Sequence, residues 1–181
     1  MKSKHKAFLL ILDGPMGTGK TTVSKLLHEK LEGVALVTLS NVKKFIFDHE
    51  KDHAYNKISQ EVILVMVNKY LELGISVIVE WAMRKERVKA FKEIAKENGA
   101  QFYIYQLEGS KDLLLKRVKE RTRILLNKKL LPKKNIANVE KHFEQHHLFH
   151  SENKYNNAII LNSEKLSATQ IARKILRDIK N

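Results

Sequence analysis

The sequence predicts an α/β fold: a parallel sheet of five strands with helices over both faces. Three observations predict it. Five short apolar runs alternate with stretches of helical periodicity along the 181 residues, the order expected of parallel strands joined by crossover helices. The first run, Ala7-Phe8-Leu9-Leu10-Ile11-Leu12, is apolar without alternation, as a strand buried on both faces is. It leads into Gly14-Pro15-Met16-Gly17-Thr18-Gly19-Lys20-Thr21, which fits the phosphate-loop pattern G-x-x-x-x-G-K-[ST] set between a strand and a helix.

The other elements follow in order. Val23, Leu26, Leu27 and Leu31 recur at helical spacing from Thr22 to Glu32, and Gly33 stops that helix. A second strand is expected over Val34–Leu39, a helix over Ile58–Leu73 ending at Gly74, and a third strand over Ile75–Glu80. A helix over Lys85–Asn98 is followed by Gly99 and a fourth strand over Gln101–Leu107. A helix from Lys111 to about Arg121, a strand over Ala158–Leu161 and a helix over Ser167–Lys180 complete one domain, residues 1–181. Right-handed crossovers leave few topologies, and ligands belong beyond the carboxyl ends of the strands. Two regions break the rhythm. Asn41 to Asn56 is polar and mixed, and Arg123 to Lys134 is basic and interrupted by Pro132. The segment from Ser40 to Asn56 is the natural place for an acceptor, and residues 122–137 for a basic lid.

Composition narrows the function classes. The chain is 43% hydrophobic and 30% charged and holds no cysteine, so thiolate metal sites and disulfides are excluded. The basic start, Met1 to Lys6, precedes an apolar run too short and too soon ended by Asp13 for a signal peptide. No stretch has the apolar length of a membrane span. A cytoplasmic protein without a membrane partner is the expectation. The net charge is +14, and ten cations against two acids between Lys111 and Lys134 give that segment +8. Such a field attracts nucleotides, polyphosphates or nucleic acid. A lysine-rich solvated surface is the plainer alternative for the charge as a whole.

Chemistry is concentrated at a few positions. The backbone of Gly14, Pro15, Met16, Gly17, Thr18, Gly19, Lys20, Thr21 and Thr22 can cradle phosphates at a helix N-terminus, with Lys20 on the β/γ-phosphates and the Thr21 hydroxyl on Mg²⁺. Glu80 ends the third strand. If its strand neighbours the first, its carboxylate reaches the loop and either holds the metal hydration shell or takes a proton from an acceptor hydroxyl. Asp13, at the end of the first strand, either serves the acceptor or a metal-bound water, or caps local N–H groups. Arg117 and Arg121 stand i, i+4 on one helix face, and Arg123 sits where that helix is expected to give way to the lid. Their planar forks suit the charge that develops on a transferring phosphoryl group. Pairing with Asp112 or Glu120 is the alternative.

His142, His146, His147 and His150 lie on an expected helix, two pairs at i, i+4. Without an H-E-x-x-H pattern, a polar or pH-responsive surface is the better reading than zinc. Trp81 follows Glu80 and either stacks on a substrate ring or packs in the core. Tyr103, Tyr105, Phe143 and Phe149 read as core or near-core.

From the phosphate loop onward the chain resembles the P-loop kinases. It looks most like the branch holding phage polynucleotide kinase, chloramphenicol phosphotransferase, zeta toxins and gluconate kinase, beside the nucleoside monophosphate kinases. Asp13 to Thr22 is similar to the corresponding stretch of cytidylate kinase. Glu80 at a strand end, Arg87 in a helix running into Ile94-Ala95, and the Leu113–Arg121 helix also match in order and spacing. The resemblance implies a three-layer α/β/α P-loop NTPase fold with sheet order 2-3-1-4-5, an arginine-bearing lid, and ATP with Mg²⁺ as phosphoryl donor. It implies a kinase whose acceptor is a small molecule or a nucleotide; a polynucleotide 5′-hydroxyl kinase and a nucleotide-dependent nucleic-acid-binding ATPase are the alternatives. One position departs from the pattern. Several of these families carry an aspartate base just after the second strand, where this chain reads Leu39-Ser40-Asn41-Val42-Lys43-Lys44. Lys43 can replace the arginine that usually follows. The base is then Glu80 or Asp48, or the acceptor is already ionised and needs none.

Overall fold

The computed structural model describes residues 6–47, 53–128 and 138–180. Strand β1 (Phe8–Asp13) lies at the centre of a five-stranded parallel sheet ordered β2-β3-β1-β4-β5, with β2 at Ala35–Thr38, β3 at Val77–Glu80, β4 at Gln101–Glu108 and β5 at Ile159–Asn162. The helices are α1 (Lys20–Lys30), α2 (Leu39–Ile46), α3 (His53–Glu72), α4 (Lys85–Glu97), α5 (Lys111–Asn127), α6 (Val139–Glu152) and α7 (Ala168–Lys180). The expected strand order is therefore the observed one.

Residue parity in β1 decides which layer each side chain enters. Leu9 and Ile11 join Val77, Val79, Ile63, Val67, Phe91 and Ala95 on the α3–α4 face. Leu10 and Leu12 join Ile78, Tyr105, Val23, Leu27 and Ile175 on the α1–α7 face. A third, smaller cluster of Leu114, Val118 and Phe143 joins α5 to α6, and Met16 of the loop packs against it. The same parity sends the last polar residues of the strands to different sides. Asp13 meets Tyr155, which packs on the α3–α4 cluster, while Glu80 meets α1.

Three expectations need correction. Leu39 is helical rather than the end of β2; the helix Leu39–Ile46 runs into the Asn41–Asn56 segment read as irregular, and α3 begins at His53 within that segment rather than at Ile58. The Thr38 hydroxyl accepts the Asn41 N–H at 3.2 Å and starts α2, the usual work of an N-cap threonine. Helix α5 continues to Asn127, so Arg123 lies within it and not at its end. Ile124, Leu125 and Leu126 carry the helix on, and their apolar character was masked by the surrounding charge. The rest of the expected lid, residues 129–137, lies outside the described residues, as does Asp48. Trp81 is core: it is buried and meets Phe91 edge-on at 5.8 Å. Tyr105 and Phe143 are fully buried, as expected. Among the described residues no helix is long and apolar enough to cross a membrane.

Candidate phosphoryl-transfer site

The loop between β1 and α1 is shaped by two glycines that no other residue replaces. Gly14 has φ 143°, and a Cβ there would lie 2.5 Å from the Leu107 carbonyl oxygen. Gly17 has φ 86°, and a Cβ there would lie 2.7 Å from the Leu114 carbonyl oxygen. Positive φ favours glycine, and here the backbones of β4 and α5 also fill the space. Thr18 ties the loop to itself by donating to the Pro15 carbonyl at 2.9 Å. Gly17→Ala is expected to lower stability by about 1–3 kcal/mol through strain, with added displacement of α5. Gly19→Ala, where a Cβ meets nothing within 4 Å, is expected to bring strain alone. Thermal melts of the two variants check this; a Gly17→Ala protein that melts with the wild type contradicts it.

Helix α1 begins at Gly19 without a side-chain cap, so its first N–H groups face the loop with the positive end of the dipole behind them. Lys20 Nζ donates to the carbonyls of Gly14 at 2.7 Å and Pro15 at 3.0 Å. Burial pulls its pKa below the usual range, helped by the charge of Arg121 and opposed by Asp13 and Glu80. The neighbouring of β1 and β3 brings Glu80 to the loop: Thr21 Oγ1 donates to its Oε1 at 3.0 Å and the buried Ser24 Oγ to its Oε2 at 3.3 Å. Ser24, one turn beyond Thr21, escaped the sequence reading; its place on the same helix face was the available signal. Two hydroxyls and a carboxylate at one helix start are hard oxygen donors, the set that suits Mg²⁺.

The three arginines separate. Arg117 donates to the Gly17 carbonyl at 3.4 Å, to Ser163 Oγ at 3.3 Å and to the Ser163 carbonyl at 3.0 Å. It staples α5 to the loop and to the end of β5, and not to Asp112 or Glu120. Arg121, one turn on, is exposed, and its charge is felt at Lys20. Arg123 faces another way, into a cavity of about 560 Å³ between α5 and α6 with Lys119, Thr122, Val139 and Glu140. The loop and Arg121 are thus brought together, and Arg123 is not brought to them.

The histidines correct the surface reading. They stand on one helix, as expected, but His142 is exposed, His146 half-buried and His150 only 4% exposed. Rings of the row stand 5.4 and 5.7 Å apart. His150 Nδ1 lies 3.7 Å from Asp13 Oδ2, and Asp13 is fully buried. Burial pushes the Asp13 carboxyl up to about 6, against the pull of the Tyr155 hydroxyl and Lys20. Burial and the nearby Lys20 charge push His146 down to about 4 and His150 down to about 3. Tyr155, which sequence reasoning missed because it lies 142 positions from Asp13, donates toward Asp13 Oδ2 at 2.7 Å and the Met83 carbonyl at 2.6 Å.

These shifts set a pH dependence of stability. The raised Asp13 pKa gives stability that is present at low pH and lost as pH rises through about 6. The lowered histidines act oppositely, with stability present above 6.5 and lost as pH falls toward 4 and 3. The histidine effect is the larger, so the melting temperature is expected to fall from pH 6.5 to 4. His150→Phe is expected to flatten that fall; an unchanged slope contradicts the burial of a neutral His150.

Comparison with known proteins places this geometry. Residues 9–146 match the AAA_33 family, described as an AAA domain. A shikimate kinase of Caldicellulosiruptor bescii is 33% identical over 118 residues, 61% of this chain, and the chain spans 64% of that relative's length. Among solved structures, the Mycobacterium tuberculosis APS kinase CysC in complex with AMPPNP and APS superposes with a TM-score of 0.68 at 14% identity, covering 97% of this chain and 99% of that one. A Deinococcus radiodurans tunicamycin resistance protein superposes with a TM-score of 0.66 at 16% identity, covering 96% of each chain.

Proposed function

We infer that this chain, which belongs to the AAA_33 family of P-loop proteins, is an ATP-dependent kinase that moves the γ-phosphoryl group of ATP to a small-molecule acceptor. The observation that carries the reading is the convergence of Lys20, Thr21, Ser24, Glu80 and Arg121 on one glycine-shaped loop. The shikimate kinase relative and the APS kinase neighbour support it in kind.

Each residue then has a definite task. The loop amides and Lys20 bind the β- and γ-phosphates. Thr21 and Glu80, with Ser24 behind them, would hold Mg²⁺, which would supply positive charge against the phosphate oxygens. Arg121 adds a fork for the charge spread over the transferring group. Arg117 keeps the loop in shape through Gly17 and Ser163, and Arg123, turned into the cavity between α5 and α6, takes no part. The acceptor lies over the ends of β1 and β3, toward α2. Most of the acceleration comes from positioning and charge neutralisation.

The test is the acceptor dependence of ADP formation. MgATP is offered with shikimate, gluconate, nucleosides, a 5′-hydroxyl oligonucleotide and nucleoside monophosphates in turn. At least one class is expected to raise ADP formation well above the rate in water. Equal rates with and without every acceptor contradict the kinase reading.

A further inference from the structure

Away from the phosphate loop, a cavity of about 500 Å³ opens between α4, β4 and the segment before β5. Phe102 of β4 stands in its wall and packs on the α3–α4 face of the sheet. It pairs with Leu9, four residues before Asp13. That is about 13 Å back along the strand from the end that carries the loop. Helix α1, which the loop opens, packs on the opposite face. The cavity is therefore separate from the phosphoryl-transfer site in both depth and face.

Its rim is cationic. Lys85, Lys89 and Lys92 come from α4, and Lys154 from the segment before β5. The three on α4 stand at i, i+4 and i+7, which sets them on one helix face. Glu86, Glu93 and Glu97 fall on another, and no acid lines the cavity. Among the described residues Lys85, Lys89 and Lys92 join no ion pair, whereas Lys69, Arg87, Lys111, Lys119 and Lys154 each meet a carboxylate. A solubilising surface mixes the two signs; α4 sorts them. A cleft lined by one sign focuses its field and concentrates the opposite ion.

The wall behind the lysines is apolar. Phe102 and Tyr155 are half-buried there. Tyr155 is fixed in place, since its hydroxyl donates toward Asp13 Oδ2 at 2.7 Å and the Met83 carbonyl at 2.6 Å. An apolar wall with a few charges at the mouth is the usual build of a small-molecule site, and the volume lies within the usual range of about 300–1,000 Å³. Lysine suits phosphate as a point charge.

We propose that this cavity is a second ligand site, for a phosphate ester of mononucleotide size, with its phosphate on the lysines and its ring against Phe102 and Tyr155. The proposal goes beyond the kinase reading and does not depend on it. A nucleic-acid strand fits the cavity less well, because successive bases need a run of exposed rings, and these two are half-buried.

The test titrates UMP into the full chain with MgAMPPNP present, followed by calorimetry and by backbone amide spectra. UMP is expected to bind, to shift the amides of Lys89, Asn156 and Asn157, and to leave those of Gly17 and Gly19 in place. Lys89→Glu with Lys92→Glu is expected to weaken UMP binding at least about tenfold, with MgATP affinity unchanged. The wild-type spectra decide the matter even if that variant fails to fold. Uridine, without the charge, and inorganic phosphate, without the ring, are each expected to bind at least about tenfold more weakly than UMP. Shifts confined to the loop and α2, equal UMP affinity in the charge-reversed protein, uridine or phosphate as tight as UMP, or no UMP binding at millimolar concentration overturns the proposal. If only a 5′-phosphorylated oligonucleotide moves these amides, the face is a nucleic-acid surface and the proposal falls.

Discussion

Lys20→Ala is expected to reduce phosphoryl transfer by about three orders of magnitude or more while leaving the fold in place. Losing one hydrogen-bond donor to developing charge costs about 10²–10³ in rate, and a full cation held in a loop shielded from water is worth more. The position explains why no neighbour replaces it. Lys20 Nζ is held on the carbonyls of Gly14 and Pro15, and the charges of Asp13, Glu80 and Arg121 all act on it. Arg121 comes from another helix and is exposed, so it does not replace the ammonium held within the loop. Removing the ammonium also leaves Asp13 without a facing cation, so its carboxyl pKa is expected to rise further. Single-turnover rates measure the first effect; a Lys20→Ala rate within tenfold of the wild type contradicts the role.

Glu80→Gln is the second large effect. The substitution keeps the shape and half of the hydrogen bonding with Thr21 and Ser24 and removes the charge. A loss of about 100-fold in kcat/KM is expected, accompanied by a higher Mg²⁺ requirement, because carboxylate charge is what holds this weakly retained ion. The fold is expected to survive, since Glu80 is only half-buried at a strand end. Rate against Mg²⁺ concentration checks it. An unchanged Mg²⁺ dependence with a lowered rate points instead to Glu80 as a base.

What the sequence disclosed and what it hid divide along physical lines. Local chemistry was legible. The unbroken apolar run of Phe8 to Leu12, the loop glycines and the helical leucines of α1 each follow from a few adjacent residues, and the strand order came with the family resemblance. Helix α2 was hidden because its start depends on one threonine cap within a polar stretch. The length of α5 was hidden because charge drew attention from Ile124, Leu125 and Leu126. The burial of His150 was illegible for a deeper reason. Histidines at i, i+4 read alike on a surface and against a core, and this one is buried beside Asp13, which comes from near the other end of the chain. Arg117 shows the same limit: its spacing suited phosphate, while its partners, Gly17 and Ser163, lie 100 and 46 positions away.

The central claim is that the loop, Glu80 and Arg121 transfer phosphate to an acceptor and do not merely bind or hydrolyse ATP. The most direct measurement is the fate of γ-labelled phosphate in a single turnover, wild type beside Lys20→Ala, with the acceptor panel present. The account predicts label in an organic phosphate with the wild type and none with the variant. Label recovered only as inorganic phosphate, or transferred equally by both proteins, would contradict it.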